Sequence, residues 1–184
     1  MLTLNAQKVS KLKGDSLFYA PNGINFKNEV HALLNFDNEK ELLKIDLQNT
    51  NSIDSSFCRE GFVNLISELS LSLNRPQVLF INVSENVVQN LEVSFTYHKK
   101  YCLIIDKDSK FQIVGKSAEP FRETIEAMIK LKEARVRDVA KELGIEELNT
   151  VNNRLKNIFD LCIIKRKEVG QESGGKEFIY YLKT

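Results

Sequence analysis

Long apolar runs are missing from this 184-residue chain. No window approaches the roughly 18 apolar residues that a membrane span takes. The opening stretch MLTLNAQKVSKLKG also has no apolar segment long enough for a secretory signal. The expectation is a cytoplasmic protein with no membrane role. Cysteine is scarce: Cys58, Cys102 and Cys162 are odd in number and far apart. That spacing argues against a disulfide framework and a zinc site, and their apolar neighbours suit buried thiols in a reducing compartment. No sign of charge dominates either, with 26 Lys+Arg against 25 Asp+Glu and a net charge of +1. Any attraction for a polyanion must therefore come from a local patch. Glycine-rich phosphate loops are missing; the glycine-containing stretch 170–175 matches neither nucleotide fingerprint. The two histidines, His31 and His98, pair with no nucleophile by any catalytic spacing. Neither an enzyme nor a cofactor or metal site is expected.

What is present is an ordinary globular composition, 42% hydrophobic and 28% charged, long enough for one large or two small domains. Loose alternation over residues 2–12 suggests an edge strand, and Ser16–Ala20 a short aromatic strand. Pro21-Asn22-Gly23 reads as a turn. Phe26, Val30, Leu33 and Leu34 then follow helical spacing. Leu42–Leu47 and Val78–Val83 read as buried strands. Between them, Phe57, Phe62, Leu65, Ile66 and Leu69 form the inner face of a helix that Asp54 or Ser55 caps. Ser84 opens a short helix through Leu91, and Ser94–Tyr101 is ambiguous between helix end and loop. Cys102–Ile105 and Phe111–Val114 look like a strand pair. Alternating strands and helices imply a small α/β layer. A polar connector, Gly115–Glu119, follows, and Pro120 favours a new helix running to Ala134. The expected domains are 1–116 and 117–184.

The stretch from Arg135 to Lys167 is the most informative. Val136, Val139, Ala140 and Leu143 recur at the spacing of a buried helical face, and Gly144 ends that helix. In the next helix Val151, Leu155, Ile158 and Phe159 form the inner stripe. Asn149, Thr150, Asn152, Asn153 and Lys156 are left outside, where they can donate hydrogen bonds. A strand-like run, Leu161–Lys167, and a return strand, Lys176–Leu182, complete the segment. A short helix, a glycine turn and a polar-faced second helix is how a helix-turn-helix presents its reading helix to the major groove.

Residues 119–183 resemble the winged helix-turn-helix domains of bacterial transcription regulators. The resemblance rests on DVAKELGI, TVNNRLKNI and LCIIKRK, with Cys162 where such domains commonly have glycine. It implies binding to double-stranded DNA, as a dimer on a palindromic site. Lys165, Arg166, Lys167 and Lys176 would meet phosphates from the wing, as would Arg135 or Arg137. Asn149, Thr150, Asn152 and Asn153 would touch base edges, and Arg154 and Lys156 would serve either purpose. Winged helices also contact proteins, and Glu146 and Glu147 would repel phosphate.

The segment IDLQNTNSIDSSFCREGFVNLI resembles the STAS family of anti-sigma-factor antagonists, and more closely a STAS-like family of unknown function found beside winged helices or histidine-kinase-type ATPases. By that resemblance Ser55, with Ser56 next to it, stands where the antagonists are phosphorylated. A phosphate there would meet free helix amides, although Asp54 adds like charge. The alternative is plain capping by Asp54 and Ser55. Two functions follow. One is a DNA-binding regulator whose STAS-like domain senses a signal or docks a partner. The other is a partner-switching interaction protein controlled at Ser55, with the winged helix contacting protein.

Overall fold

The computed structural model describes residues 1–9, 15–35, 41–72, 75–116, 119–170 and 176–183, with the side chains of Asn35 and Lys176 outside that set. The chain divides into two compact units, Met1–Ser117 and Ala118–Thr184. The first is mixed α/β with a mostly parallel sheet.

In the first unit the elements run β1 (Leu2–Asn5), α1 (Ala6–Val9), β2 (Ser16–Leu17), α2 (Ala20–Asn35), β3 (Leu42–Asp46) and β4 (Ser52–Ile53). Next come α3 (Ser55–Phe57), a π-helical segment (Cys58–Val63) and α4 (Asn64–Leu69), then β5 (Gln77–Val83), α5 (Glu85–Tyr97), β6 (Tyr101–Asp106) and β7 (Phe111–Gly115). The main sheet has the order β1-β3-β5-β6-β7. Its first four strands are parallel and β7 is antiparallel to β6. β5 lies at the centre, which explains its near-continuous apolar run VLFINV: a strand paired on both sides is buried along most of its length. A chain of edge-to-face rings ties the helices to the sheet. Phe26 meets Phe62 at 5.4 Å between centroids, Phe62 meets Phe80 at 5.0 Å, and Phe80 meets Phe95 at 6.1 Å. All four rings are fully buried.

Several local expectations change. The Pro21-Asn22-Gly23 stretch is the first turn of α2, where proline's missing N–H costs nothing. Gly23 is there because two helix backbones touch. A β-carbon on it would stand 2.8 Å from the Phe57 carbonyl oxygen and 2.9 Å from the Gly61 nitrogen. Tertiary approach, not turn chemistry, selects this glycine. The strand expected over 16–20 shrinks to Ser16–Leu17, and the edge strand from residue 2 ends at Asn5, with residues 10–12 outside the described set. The helix from Ser84 continues to Tyr97 because Val87, Leu91, Ser94 and Phe95 keep one buried face. The helix expected to reach Ala134 stops at Leu131. Lys132 takes a left-handed φ of 62°, and Glu133–Arg135 becomes a strand.

All three cysteines are free and buried. Burial pushes the Cys58 thiol up to about 12 and the Cys102 thiol well above its ordinary value. Thiolate is the reactive form, so these groups are inert in the folded state. Iodoacetamide at pH 8 should leave all three unmodified in native protein and alkylate them after unfolding, as read by mass spectrometry.

The second unit runs α6 (Glu119–Leu131), β8 (Glu133–Arg135), α7 (Val136–Leu143), α8 (Leu148–Asp160), β9 (Lys165–Gly170) and β10 (Lys176–Tyr181). Its three strands form an antiparallel sheet ordered β8-β10-β9. Ile125, Met128, Val139, Val151, Leu155 and Ile158 pack with no exposed surface. Val136 and Leu143, expected inside, are half-buried.

Candidate nucleic-acid interface

Helix α7 begins where the Arg135 backbone N–H donates to Asp138 Oδ2 at 2.9 Å. It ends at Gly144, φ 66°, with Gly144 N–H donating to Lys141 O at 3.3 Å and Ile145 N–H to Ala140 O at 2.9 Å. That pair of bonds satisfies carbonyls the helix end would otherwise leave open. A β-carbon on Gly144 would meet nothing within 4 Å, so the backbone conformation alone selects glycine. Gly144→Ala should cost about 1–2 kcal/mol, the left-handed penalty, in a denaturation experiment. A neutral result would contradict this account of the turn.

Helix α8 ends in the same way with a different residue. Cys162, φ 58°, donates its N–H to Phe159 O at 3.0 Å, and Ile163 donates to Ile158 O at 3.2 Å. Residues 161–164 are thus a turn, not the strand-like start expected from the sequence, and β9 begins at Lys165. Cys162 holds the left-handed position while its side chain is fully buried. Packing of the thiol offsets the strain of a non-glycine residue there.

The outward face of α8 holds Asn149, Asn152, Asn153 and Lys156, all exposed and spaced i, i+3, i+4, i+7 along one side of the helix. Behind it Val151, Leu155 and Ile158 have no exposed surface. Thr150 is half-buried and donates its hydroxyl to Glu147 Oε2 at 2.7 Å, so it turns toward the head of its own helix. Arg137 on α7 is exposed, and neither it nor Lys156 has an ion-pair partner among the described residues.

The other described cations expected at DNA are engaged inside the unit. Arg154 donates to the Pro120 carbonyl at 3.4 Å and lies 3.7 Å from Glu123, its side chain 18% exposed; it braces α8 against the start of α6. The Arg166 guanidinium carbon sits 4.4 Å from the Phe159 ring centre and 4.3 Å from that of Phe178, a cation held between two aromatic faces. Lys167 Nζ donates to Glu133 Oε1 at 2.9 Å, and Arg135 Nε is 3.5 Å from Glu177. Lys165 is half-buried and also has a partner. The side chain of Lys176 and residues 171–175 lie outside the described residues. Periodicity located the α8 row, but it carries no signal for which cations find internal partners.

In the first unit, Asp54 caps the helix that Ser55 begins. Its Oδ1 accepts from Phe57 N–H at 2.6 Å and from the Ser56 hydroxyl at 2.8 Å. Its Oδ2 accepts from Tyr19 N–H at 2.8 Å. Burial works to raise this carboxyl, but those hydrogen bonds outweigh it and hold it below the usual range. Ser55 is exposed, and Ser56 is half-buried and committed to Asp54. Asp54 thus already occupies amides that a phosphate at Ser55 would seek.

No family model matches this chain, and no curated protein matches it. No described helix is long and apolar enough to cross a membrane. Among the described residues no cluster of His, Cys, Asp and Glu is arranged to hold a metal.

Proposed function

We propose that this protein is a DNA-binding transcriptional regulator. Residues 118–184 act as a winged helix-turn-helix, and residues 1–117 as a STAS-like sensor or partner-docking unit. The observation that carries the reading is the α8 face: three exposed asparagines and a lysine in one row, held by a fully buried inner stripe. A helix so exposed fits the width of the major groove, and asparagine pairs bidentately with adenine. The element order of the unit, a helix, a strand, two helices and a hairpin, supports the same assignment. For the first unit, the support is the parallel sheet with Asp54-Ser55-Ser56 at the start of a helix.

Among the described cations expected at DNA, Arg137 and Lys156 are the two without a partner, which limits the phosphate contribution. With a slope of about −0.9 per phosphate contact, log K against log salt should fall with a slope of about −2 per protomer and about −4 for a dimer on a palindrome. Fluorescence anisotropy on the protein's own upstream DNA measures it. A slope near −10 would mean that the wing cations leave their internal partners.

A second reading is favoured by specific features. Lys167 is paired with Glu133 and Arg166 is held between Phe159 and Phe178, Glu146 and Glu147 are exposed at the head of α8, and Leu148 is 50% exposed beside them. Those features suit a protein surface, as in a partner-switching module; control at Ser55 is the further part of that reading. A mobility shift at low salt decides between them. A shift that wild type shows and Lys156→Ala weakens supports DNA; no shift with wild type transfers the assignment to the protein partner.

A further inference from the structure

Helix α5 carries apolar residues on two sides. Val87, Leu91 and Phe95 have no exposed surface, and the Phe95 ring meets Phe80 of the sheet. Val93 and Tyr97 point the other way, one turn apart, and are 68% and 81% exposed. A lone exposed apolar residue is ordinary. Two on one row of a helix whose inner side is already filled are less so, because a helix apolar on both sides is ordinarily covered on both. Exposed Asn86 and Gln89 extend the row toward the helix start, so Asn86, Gln89, Val93 and Tyr97 follow one another at steps of three and four residues.

The two ends of this row carry opposite charge. Glu85 opens α5, and Asp106, Lys107 and Asp108 line the same cleft beside it, three carboxylates to one ammonium. Past the other end come His98, Lys99 and Lys100, with Lys99 exposed at a left-handed φ of 53°. Glu92 lies near the middle of the helix but is directed sideways, toward β7. Its Oε2 accepts the Gly115 N–H at 2.7 Å and its Oε1 the Thr96 hydroxyl at 3.3 Å. The Tyr97 ring meets His98 edge to face, 5.0 Å between centroids, which gives the exposed ring one fixed neighbour.

We propose that α5 pairs with α5 of a second copy of this chain, antiparallel about a two-fold axis at Val93. A two-fold closes the pair and makes every contact occur twice. Antiparallel order sets Val93 on Val93 and Gln89 on Tyr97, and it brings Glu85 at the acidic start of one helix to Lys99 at the basic end of the other. Parallel order would set like ends together. Charge complementarity therefore selects the second copy and its orientation, while Val93 and Tyr97 supply the apolar centre. A helix of 13 residues is about 20 Å long, and a contact of that length is small, so the association is weak and reversible. The pair supplies the two-fold that a palindromic DNA site requires, and in that use it rests on the DNA-binding reading. Its test needs no DNA, so failure of DNA binding and failure of pairing are separate outcomes.

The test is sedimentation equilibrium of the full chain from micromolar to near-millimolar concentration. Wild type should show a monomer–dimer equilibrium, and Val93→Asp and Tyr97→Ala should each weaken it at least tenfold. Leu71→Asp, at a residue 85% exposed away from α5, should leave it unchanged. Glu85→Lys and Lys99→Glu should each self-associate at least threefold more weakly than wild type, because each sets like charges together twice. Mixing the Glu85→Lys chain with the Lys99→Glu chain should restore a dimer of one of each, since both charge pairs re-form with their signs exchanged. Circular dichroism checks that every variant is folded. A wild-type chain that stays monomeric over the whole range overturns the proposal, as does a Leu71→Asp chain weakened as much as Val93→Asp. A mixture that associates no better than its two components overturns the antiparallel pairing.

Discussion

Gly115→Ala should unfold the first unit more readily than any other single methyl addition considered for it. Gly115 closes β7 with a φ of +100°, a region that side chains rarely adopt. An added β-carbon would lie 2.5 Å from the Lys100 carbonyl oxygen and 2.6 Å from the Phe95 β-carbon. Neither neighbour gives way easily: Lys100 leads into β6, and Phe95 is buried on α5. The Gly115 N–H also donates to Glu92 Oε2 at 2.7 Å, so a shift of this backbone would break its tie to α5. Left-handed strain of about 1–2 kcal/mol and overpacking of about 1–3 kcal/mol add to roughly 2–5 kcal/mol. For a unit of this size that lowers the melting temperature by on the order of 15 °C. Thermal unfolding followed by circular dichroism measures it, and a shift of a few degrees would contradict the contacts around Gly115.

The sequence showed the architecture wherever local pattern and tertiary burial agree. The apolar runs at Leu42 and Val78 became the central strands, and Phe57, Phe62, Leu65, Ile66 and Leu69 became one buried face. Val151, Leu155, Ile158 and Phe159 did the same for α8, which fixed the outward row by elimination. Where distant parts of the chain decide, the pattern was silent or misleading. Pro21-Asn22-Gly23 has the composition of a turn, yet Gly23 serves a helix crossing with Gly61. Gly115 looked like linker but seats a strand end against α5. Cys162 took a left-handed position that the sequence pattern would assign to glycine. Arg154 and Arg166 read as surface cations because sequence spacing says nothing of Glu123, Phe159 or Phe178 as their partners.

The α8 row makes the second large prediction. Asn152→Ala combined with Asn153→Ala should weaken specific DNA binding roughly 100-fold or more, since each well-placed base contact is worth about 1–3 kcal/mol. Binding to unrelated duplex should change little, because phosphate contacts set that term and both residues are uncharged. Lys156→Ala should weaken specific and unrelated DNA alike and lower the salt slope by about one unit per protomer. Lys167→Ala is the contrasting variant. Its charge is already paired with Glu133, so affinity should change less than about threefold. Arg166→Ala should act through folding instead: removing a cation stacked between Phe159 and Phe178 lowers stability while sparing the affinity of the protein that remains folded. Anisotropy titrations on specific and unrelated duplexes, beside denaturation curves for each variant, separate these effects. A double asparagine variant that binds both duplexes as wild type does would remove α8 from the groove. The row would then face another protein.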